Sequence, residues 1–226
     1  MNFIHAIWSR IKAYKPPYPG LRHKIEDGKE IWEGPLSFTA RYDSTRVKDT
    51  FEVRIEMPAE PEGFPLVREV GGRIEKLLSQ GKAKNRADLH INPNGVICLC
   101  PKPEEKRRFP GKVDLSKFIK ELVIPYFYAL HQFDKTGKWA WGQYSHGYLG
   151  IMEYYLEHRN NNDSRLLQDC LTTLERGYGM KLKRGAQFNG REPCFCGSGK
   201  RAKKCHPNAL AGIRAIIEDA CKLGMK

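Results

Sequence analysis

Three cysteines and a histidine fall within residues 194–206, spaced Cys-x-Cys-x8-Cys-His through Cys194, Cys196, Cys205 and His206. Four thiolate or imidazole donors in so short a segment match a closed tetrahedral metal site, and zinc is the ion whose preferences suit sulfur and nitrogen together. Gly197-Ser198-Gly199 supplies the sharp turn that lets both thiolates of the Cys-x-Cys pair point inward. Protein atoms take all four positions and leave none open for a substrate, so the metal reads as structural, with a catalytic zinc as the alternative. So small an element has little apolar core of its own, and structural zinc in short peptides contributes about 10–16 kcal/mol near neutral pH. Without metal the segment is expected to be unfolded.

At 226 residues the chain has room for one principal domain and a small satellite. The polar run 160–163 marks a boundary, and the expected division is 1–158 for the principal domain, 159–190 for a helical linker and 191–226 for the metal segment with a closing helix. Phe3, Ile4, Ile7, Trp8 and Ile11 recur at helical spacing with Asn2, Arg10 and Lys12 on the other side, which predicts an amphipathic helix over 2–14. A helix lying on a membrane surface is the competing reading of that stretch, weakened by its shortness and low basicity. Four β-rich runs follow at 21–26, 31–42, 50–57 and 66–70, separated by Asp27-Gly28, by Asp43-Ser44 and by the Pro/Gly-rich stretch 58–65. Hairpin-length links between them imply an antiparallel meander. Leu115, Phe118, Ile119, Leu122 and Val123 then predict a helix over 114–131 that Pro125 should kink or restart. A further helical run ends near Glu157, and 164–176 and 209–223 read as helices flanking the metal segment. The expected fold class is α+β.

Residues 90–100, HINPNGVICLC, set a histidine, an asparagine and a cysteine into one turn-rich loop. Asn94-Gly95 is a tight-turn signal and Pro93 stiffens the approach. Ile97-Cys98-Leu99 places a thiol between two apolar anchors that could hold it at the edge of a core. Unpaired cysteine usually behaves as a small buried hydrophobe; the surrounding loop favours a reactive role, acyl transfer through a thioester. Cys100, one residue beyond, is open to three readings: nucleophile, resolving thiol, or half of a metal knuckle with His90.

This loop resembles the active-site loop of the ubiquitin-conjugating enzymes, which read His-Pro-Asn and then Gly-x-(Ile/Val)-Cys-Leu. His90-Ile91-Asn92 stands for the first element and Gly95-Val96-Ile97-Cys98-Leu99 for the second. Ile91 in place of proline and the shorter gap to the cysteine are similar to the prokaryotic conjugating proteins of cyclic-oligonucleotide-based antiphage signalling systems (CBASS). Those relatives often carry Gly-Lys-Trp and His-Gly-x-x-Gly-Ile-x-Glu-Tyr-Tyr segments, as Gly137-Lys138-Trp139 and the stretch from His146 to Tyr155 do here. The resemblance implies a ubiquitin-conjugating-like fold: N-terminal helix, four-stranded antiparallel meander, catalytic loop and C-terminal helices. It also implies that Cys98 carries the C-terminal carboxyl of a partner, a CBASS cyclic-nucleotide synthase, and passes it to an amine. Asn92 would stabilise the oxyanion during aminolysis, an effect worth about 2.7–4 kcal/mol; a loop-holding role is its alternative. His90 would organise the loop rather than act as a base, and His146 reads as a capping or core donor. Residues 190–207 closely resemble the SEC-C zinc motif, departing at Ala202, where an aromatic residue is usual.

Seven cysteines without a secretory pairing pattern, no signal peptide and no apolar run near the ~20 residues of a membrane span imply a reducing cytoplasm and no membrane partner. Thirty-nine basic against 26 acidic residues, a net +13, would suit nucleic acid or an acidic protein. The densest basic clusters, 102–112 and 200–204, read as solvated faces, and nucleic acid stays the less favoured partner. The chain has no Gly-rich nucleotide loop and no His-x-His deubiquitinase signature, so activation by ATP and removal of product fall to other chains or are absent. Two further classes remain open: a catalytically inactive conjugating-fold scaffold, and a zinc module that binds nucleic acid or protein.

Overall fold

Two acidic turns organise the sheet. In a computed structural model, which describes residues 12–13, 18–60, 63–160, 163–180, 182 and 188–224, Asp27, Gly28 and Asp43 all have left-handed φ, at 51°, 75° and 50°. Two-residue hairpin loops demand that conformation, and Asp and Gly tolerate it best. These turns join β2 (Arg22–Glu26) to β3 (Lys29–Tyr42), and β3 to β4 (Thr45–Glu56); β5 (Leu66–Glu69) then adds to β4. All pairings are antiparallel, so β2 to β5 form the expected four-stranded meander. The expected helix over 2–14 falls outside the described residues except at Lys12–Ala13, and there the chain is a short strand, β1, not a helix. The reason lies on β3: β2 pairs only as far as Glu33, leaving Ala40 and Arg41 with an open edge that β1 takes.

One face of the sheet is apolar by simple alternation, with Leu36, Phe38 and Ala40 on β3 and Val47, Phe51, Val53 and Ile55 on β4 all buried. Gly34, at φ 136°, ends that run toward the N-terminal part of β3, and a side chain there would stand 2.3 Å from the Gly20 carbonyl oxygen. The other face carries a charge ladder in which Arg54 reaches Glu26 at 2.6 Å and Glu33 at 2.9 Å. Hydrogen bonds from Arg54 and then Lys24 hold the Glu26 carboxyl down at about 2.

Helices close the apolar face. After α1 (Arg73–Ser79) and α2 (Lys102–Arg108), a continuous helical run begins at α3 (Leu115–Phe118), where the Asp114 carboxylate accepts the Lys117 N–H at 2.6 Å. It passes through a π-helical turn at Ile119–Val123 into α4 (Ile124–Thr136), which ends on left-handed Gly137. Pro125 lacks an N–H and would crowd the carbonyl four residues back; the wider π turn just before it absorbs the misfit, so the helix restarts rather than breaks. Phe127 of α4 stacks on Phe51 at 4.4 Å. Arg73 lies over the Phe51 ring at 4.2 Å and meets Asp49 at 2.8 Å, and Asp49 also bonds His131 at 2.5 Å. Burial opposes ionisation of Asp49, but the hydrogen bonds from Arg73 and His131 outweigh it and leave its pKa below the usual value.

The chain divides into two units, one of residues up to Cys100 with Glu105–Gly142, the other of Pro101–Glu104 with Gln143 onward. The division therefore falls after Gly142, not after 158, because α5 (Tyr148–His158) contributes Leu149, Met152 and Tyr155 to the second core. That core also takes Leu166, Leu167 and Cys170 of α6 (Ser164–Thr172), Ala202 of α7 (Ala202–Cys205) and Ile213 and Ile216 of α8 (Pro207–Lys222). Asp163 caps α6 by accepting the Leu166 N–H, and a π turn at Thr173–Gly177 follows. The basic segment beginning at Lys102 is not wholly a solvated face: Pro103 and Glu104 are buried, and Glu104 accepts the Tyr154 hydroxyl.

Gly212 sits where α8 crosses α5, and a side chain there would meet the Met152 carbonyl oxygen at 2.0 Å. Backbone cannot swing aside as a side chain can. Gly212→Ala is thus expected to lose about 2–3 kcal/mol net, since the clash outweighs a helix-propensity gain of about 1 kcal/mol. Urea melts would measure it, and an unchanged or raised midpoint would refute the close-crossing argument.

Candidate functional site

The metal-ligand cluster is built from a small hairpin and the short helix that follows it. The Cys194 N–H donates to the Lys200 carbonyl at 2.7 Å, and the Gly197 N–H donates to the Cys194 carbonyl at 3.0 Å. Gly197 and Gly199 both have left-handed φ, at 76° and 71°, as the turn between the two strands of the hairpin requires. Cys205 and His206 arrive at the end of α7, their N–H groups bonded to the carbonyls of Arg201 and Ala202. The four ligand atoms lie within 4.8 Å of one another, with Cys194 Sγ 3.1 Å from His206 Nδ1 and Cys196 Sγ 3.6 Å from Cys205 Sγ. A tetrahedral ion bound at about 2.3 Å to sulfur and about 2.0 Å to nitrogen needs sulfur–sulfur gaps of about 3.8 Å and sulfur–nitrogen gaps of about 3.5 Å. The cluster is compatible with one metal ion held by all four residues.

Its electrostatics differ from ligand to ligand. Burial pushes the Cys194 thiol up, whereas hydrogen bonds from Ser198 bring the exposed Cys196 thiol down to about 6. Cys196 is therefore ready as a thiolate at neutral pH, the form that binds metal. Ala202, where the motif usually carries an aromatic residue, is buried, and its N–H donates to the Glu192 carbonyl. The hairpin is further tied to α5 by the Tyr148 hydroxyl, which donates to the Phe195 carbonyl. Sequence spacing offered no sign of that anchor.

In the first unit the thiol loop folds as a tight reversal. Ile91 and Ile97 bridge, the Asn92 N–H donates to Val96 O at 2.8 Å, and Gly95 turns the chain at φ 79°. Ile97 N–H donates to Val67 O of β5, so the loop is fastened to the sheet. Ile97 and Leu99 are 4% and 6% exposed while Cys98 between them is exposed, the edge-of-core placement expected from the apolar anchors. His90 stands opposite Cys98: it adopts left-handed φ, 55°, and its carbonyl accepts the Cys98 N–H at 2.7 Å. The His90 ring lies edge-on to Trp139 at 5.2 Å, and the Trp139 indole N–H donates to the Asp88 carbonyl. Tyr126, fully buried, donates to the Leu89 carbonyl at 2.8 Å.

No pattern in the sequence marks Trp139, Tyr126 or Val67 as part of this site. Asn92 is exposed, with its main chain closing the turn. Cys100 is half-buried, and its carbonyl faces the Cys98 thiol at 3.8 Å. His146 is exposed, and the residue before it, Ser145, donates its N–H to Glu153 at 2.7 Å.

Residues 191–206 match the SEC-C motif. No curated protein and no solved structure matches the chain. Among the described residues no helix is long and apolar enough to cross a membrane.

Proposed function

We propose that the chain is a ubiquitin-conjugating-like cysteine acyl carrier, whose Cys98 accepts the C-terminal carboxyl of a partner as a thioester and passes it to an amine. The observation that carries this reading is the exposed Cys98 thiol clamped between buried Ile97 and Leu99, with its N–H fixed by the His90 carbonyl. A carrier thiol has to be open to a protein terminus yet fixed in position, since attack depends on orientation as well as on thiolate. The preceding four-stranded meander and the helical run after the loop support a conjugating-type fold for the first unit. The thiolate attacks a carboxyl held as a thioester on an activating chain, and that chain's thiolate leaves; the amine then attacks the Cys98 thioester, the Cys98 thiolate leaves, and the amine's proton passes to solvent. On the motif resemblance the cargo is a CBASS-type cyclic-nucleotide synthase, the setting cytoplasmic antiphage defence, and the ion in the Cys3His cluster structural zinc.

Asn92 is exposed in the loop, and in this reading its side-chain amide donates to the developing oxyanion. Asn92→Ala is expected to charge normally on Cys98 but to discharge to amines about 100- to 1,000-fold more slowly. Single-turnover discharge assays would read the rate, and equal rates for both proteins would reassign Asn92 to holding the loop.

A further inference from the structure

We infer that Cys196 and Cys205 are a modification site, which hydrogen peroxide converts to a reversible disulfide, and that closing this bond expels the ion held by the Cys3His cluster. The two sulfurs lie 3.6 Å apart, close enough to bond at about 2.05 Å after a small shift of each side chain. Backbone hydrogen bonds set that separation. The Cys194 N–H to Lys200 carbonyl bond and the bridge between Pro193 and Arg201 close the hairpin that carries Cys196, and the Cys205 N–H to Arg201 carbonyl bond brings Cys205 back to it. Access then selects the pair. Cys196 is exposed and Cys205 half-buried, whereas Cys194, the third sulfur, is 3% exposed. Solvent peroxide therefore meets the cluster on an edge that presents two thiols and shields the third.

The chemistry balances with peroxide as the sole oxidant. The Cys196 thiolate attacks one peroxide oxygen, the O–O bond breaks, and hydroxide departs, leaving a sulfenic acid on Cys196. The Cys205 thiolate attacks that sulfur and displaces a second hydroxide, so the two thiolates give up two electrons and peroxide takes both. A disulfide sulfur is a neutral, weak donor. Cys194 and His206 are then the remaining ligands, too few to enclose an ion, and an element whose folding depends on metal loses its structure with it. A thiol reductant and fresh zinc reverse both steps. The inference rests on the cluster holding an ion and is independent of the acyl chemistry at Cys98.

The test treats the full, zinc-loaded chain with hydrogen peroxide, while a zinc-binding dye follows released metal and mass spectrometry follows the disulfide. Cleavage after Phe195 separates Cys194 from Cys196, and cleavage after Lys200 or Lys204 separates both from Cys205, so each pairing yields its own linked peptides. One equivalent of zinc should leave for each Cys196–Cys205 disulfide formed, at least about tenfold faster than the buried Cys170 thiol reacts. Dithiothreitol with zinc should then restore the metal content and the free thiols. Cys98→Ser removes the other exposed thiol and should release zinc at the wild-type rate. Zinc retained after these cysteines are oxidised, a disulfide that includes Cys194, sulfinic acid on Cys196 in place of a disulfide, or release that requires Cys98 would each overturn the inference.

Discussion

Cys196→Ser protein should be recovered with its metal content reduced from close to one equivalent to near zero, while the first unit stays folded. The size of the effect follows from the closed shell: three remaining donors with a hydroxyl in place of a thiolate no longer enclose the ion, and metal binding is the largest stabilising term so small an element has, about 10–16 kcal/mol. Cys194 would be left as a buried thiol without its ion. The chain supplies its own reporter, because its tryptophans are Trp8, Trp32, Trp139 and Trp141, none of them in the part that follows Gly142. Tryptophan emission should therefore match wild type in the metal-free variant, and a chelator should reproduce the result. Retained metal would exclude Cys196 as a ligand, and a collapse of tryptophan emission would contradict two separately folded units.

Substitution of Cys98 has the second large effect, because it changes the kind of bond as well as its amount. Co-expressed with its cargo and activating chain, wild-type protein should carry an adduct that a thiol reductant or neutral hydroxylamine removes, as expected of a thioester. Cys98→Ser should carry it as a reductant-resistant oxyester, and Cys98→Ala should carry none. Cys100→Ser should behave much as wild type, since Cys100 is half-buried and Cys98 is the thiol presented to solvent. Loss of the adduct in the Cys100 variant alone would move the nucleophile to that residue. Absence of an adduct in every variant, with the partner present, would favour the scaffold reading.

Much of this architecture was legible because it rests on local chemistry. Asp27-Gly28 and Asp43 announce hairpins through their tolerance of left-handed φ, the polar run 160–163 announces a break before the next helix, and the Cys-x-Cys-x8-Cys-His spacing brings four donors together by itself. What escaped depends on partners distant in sequence. Glu104 looks solvated beside Lys102 and Lys106 until Tyr154, fifty residues on, donates to it. Helix α5 reads as the end of the first domain, and only the crossing of Gly212 against Met152 reveals where it packs. The start of β3 breaks the alternation of buried residues because Gly34 meets the Gly20 backbone, a tertiary constraint with no periodic signature. In the thiol loop Cys98 and its two anchors could be read from pattern, whereas the Trp139 ring beside His90 could not.

The bond from Ile97 to the Val67 carbonyl has a consequence for how this chain meets others. An open β-edge invites strand addition, the first step of sheet-to-sheet aggregation. Here the β5 edge is short, carries Arg68 and Glu69, and has one of its outward carbonyls occupied by the very loop that presents the thiol. A terminus cannot augment the sheet there without prising that loop off Val67 and moving the thiol with it. An incoming polypeptide is therefore steered toward side-chain recognition of the loop, and self-association through this edge is blocked by the same contact.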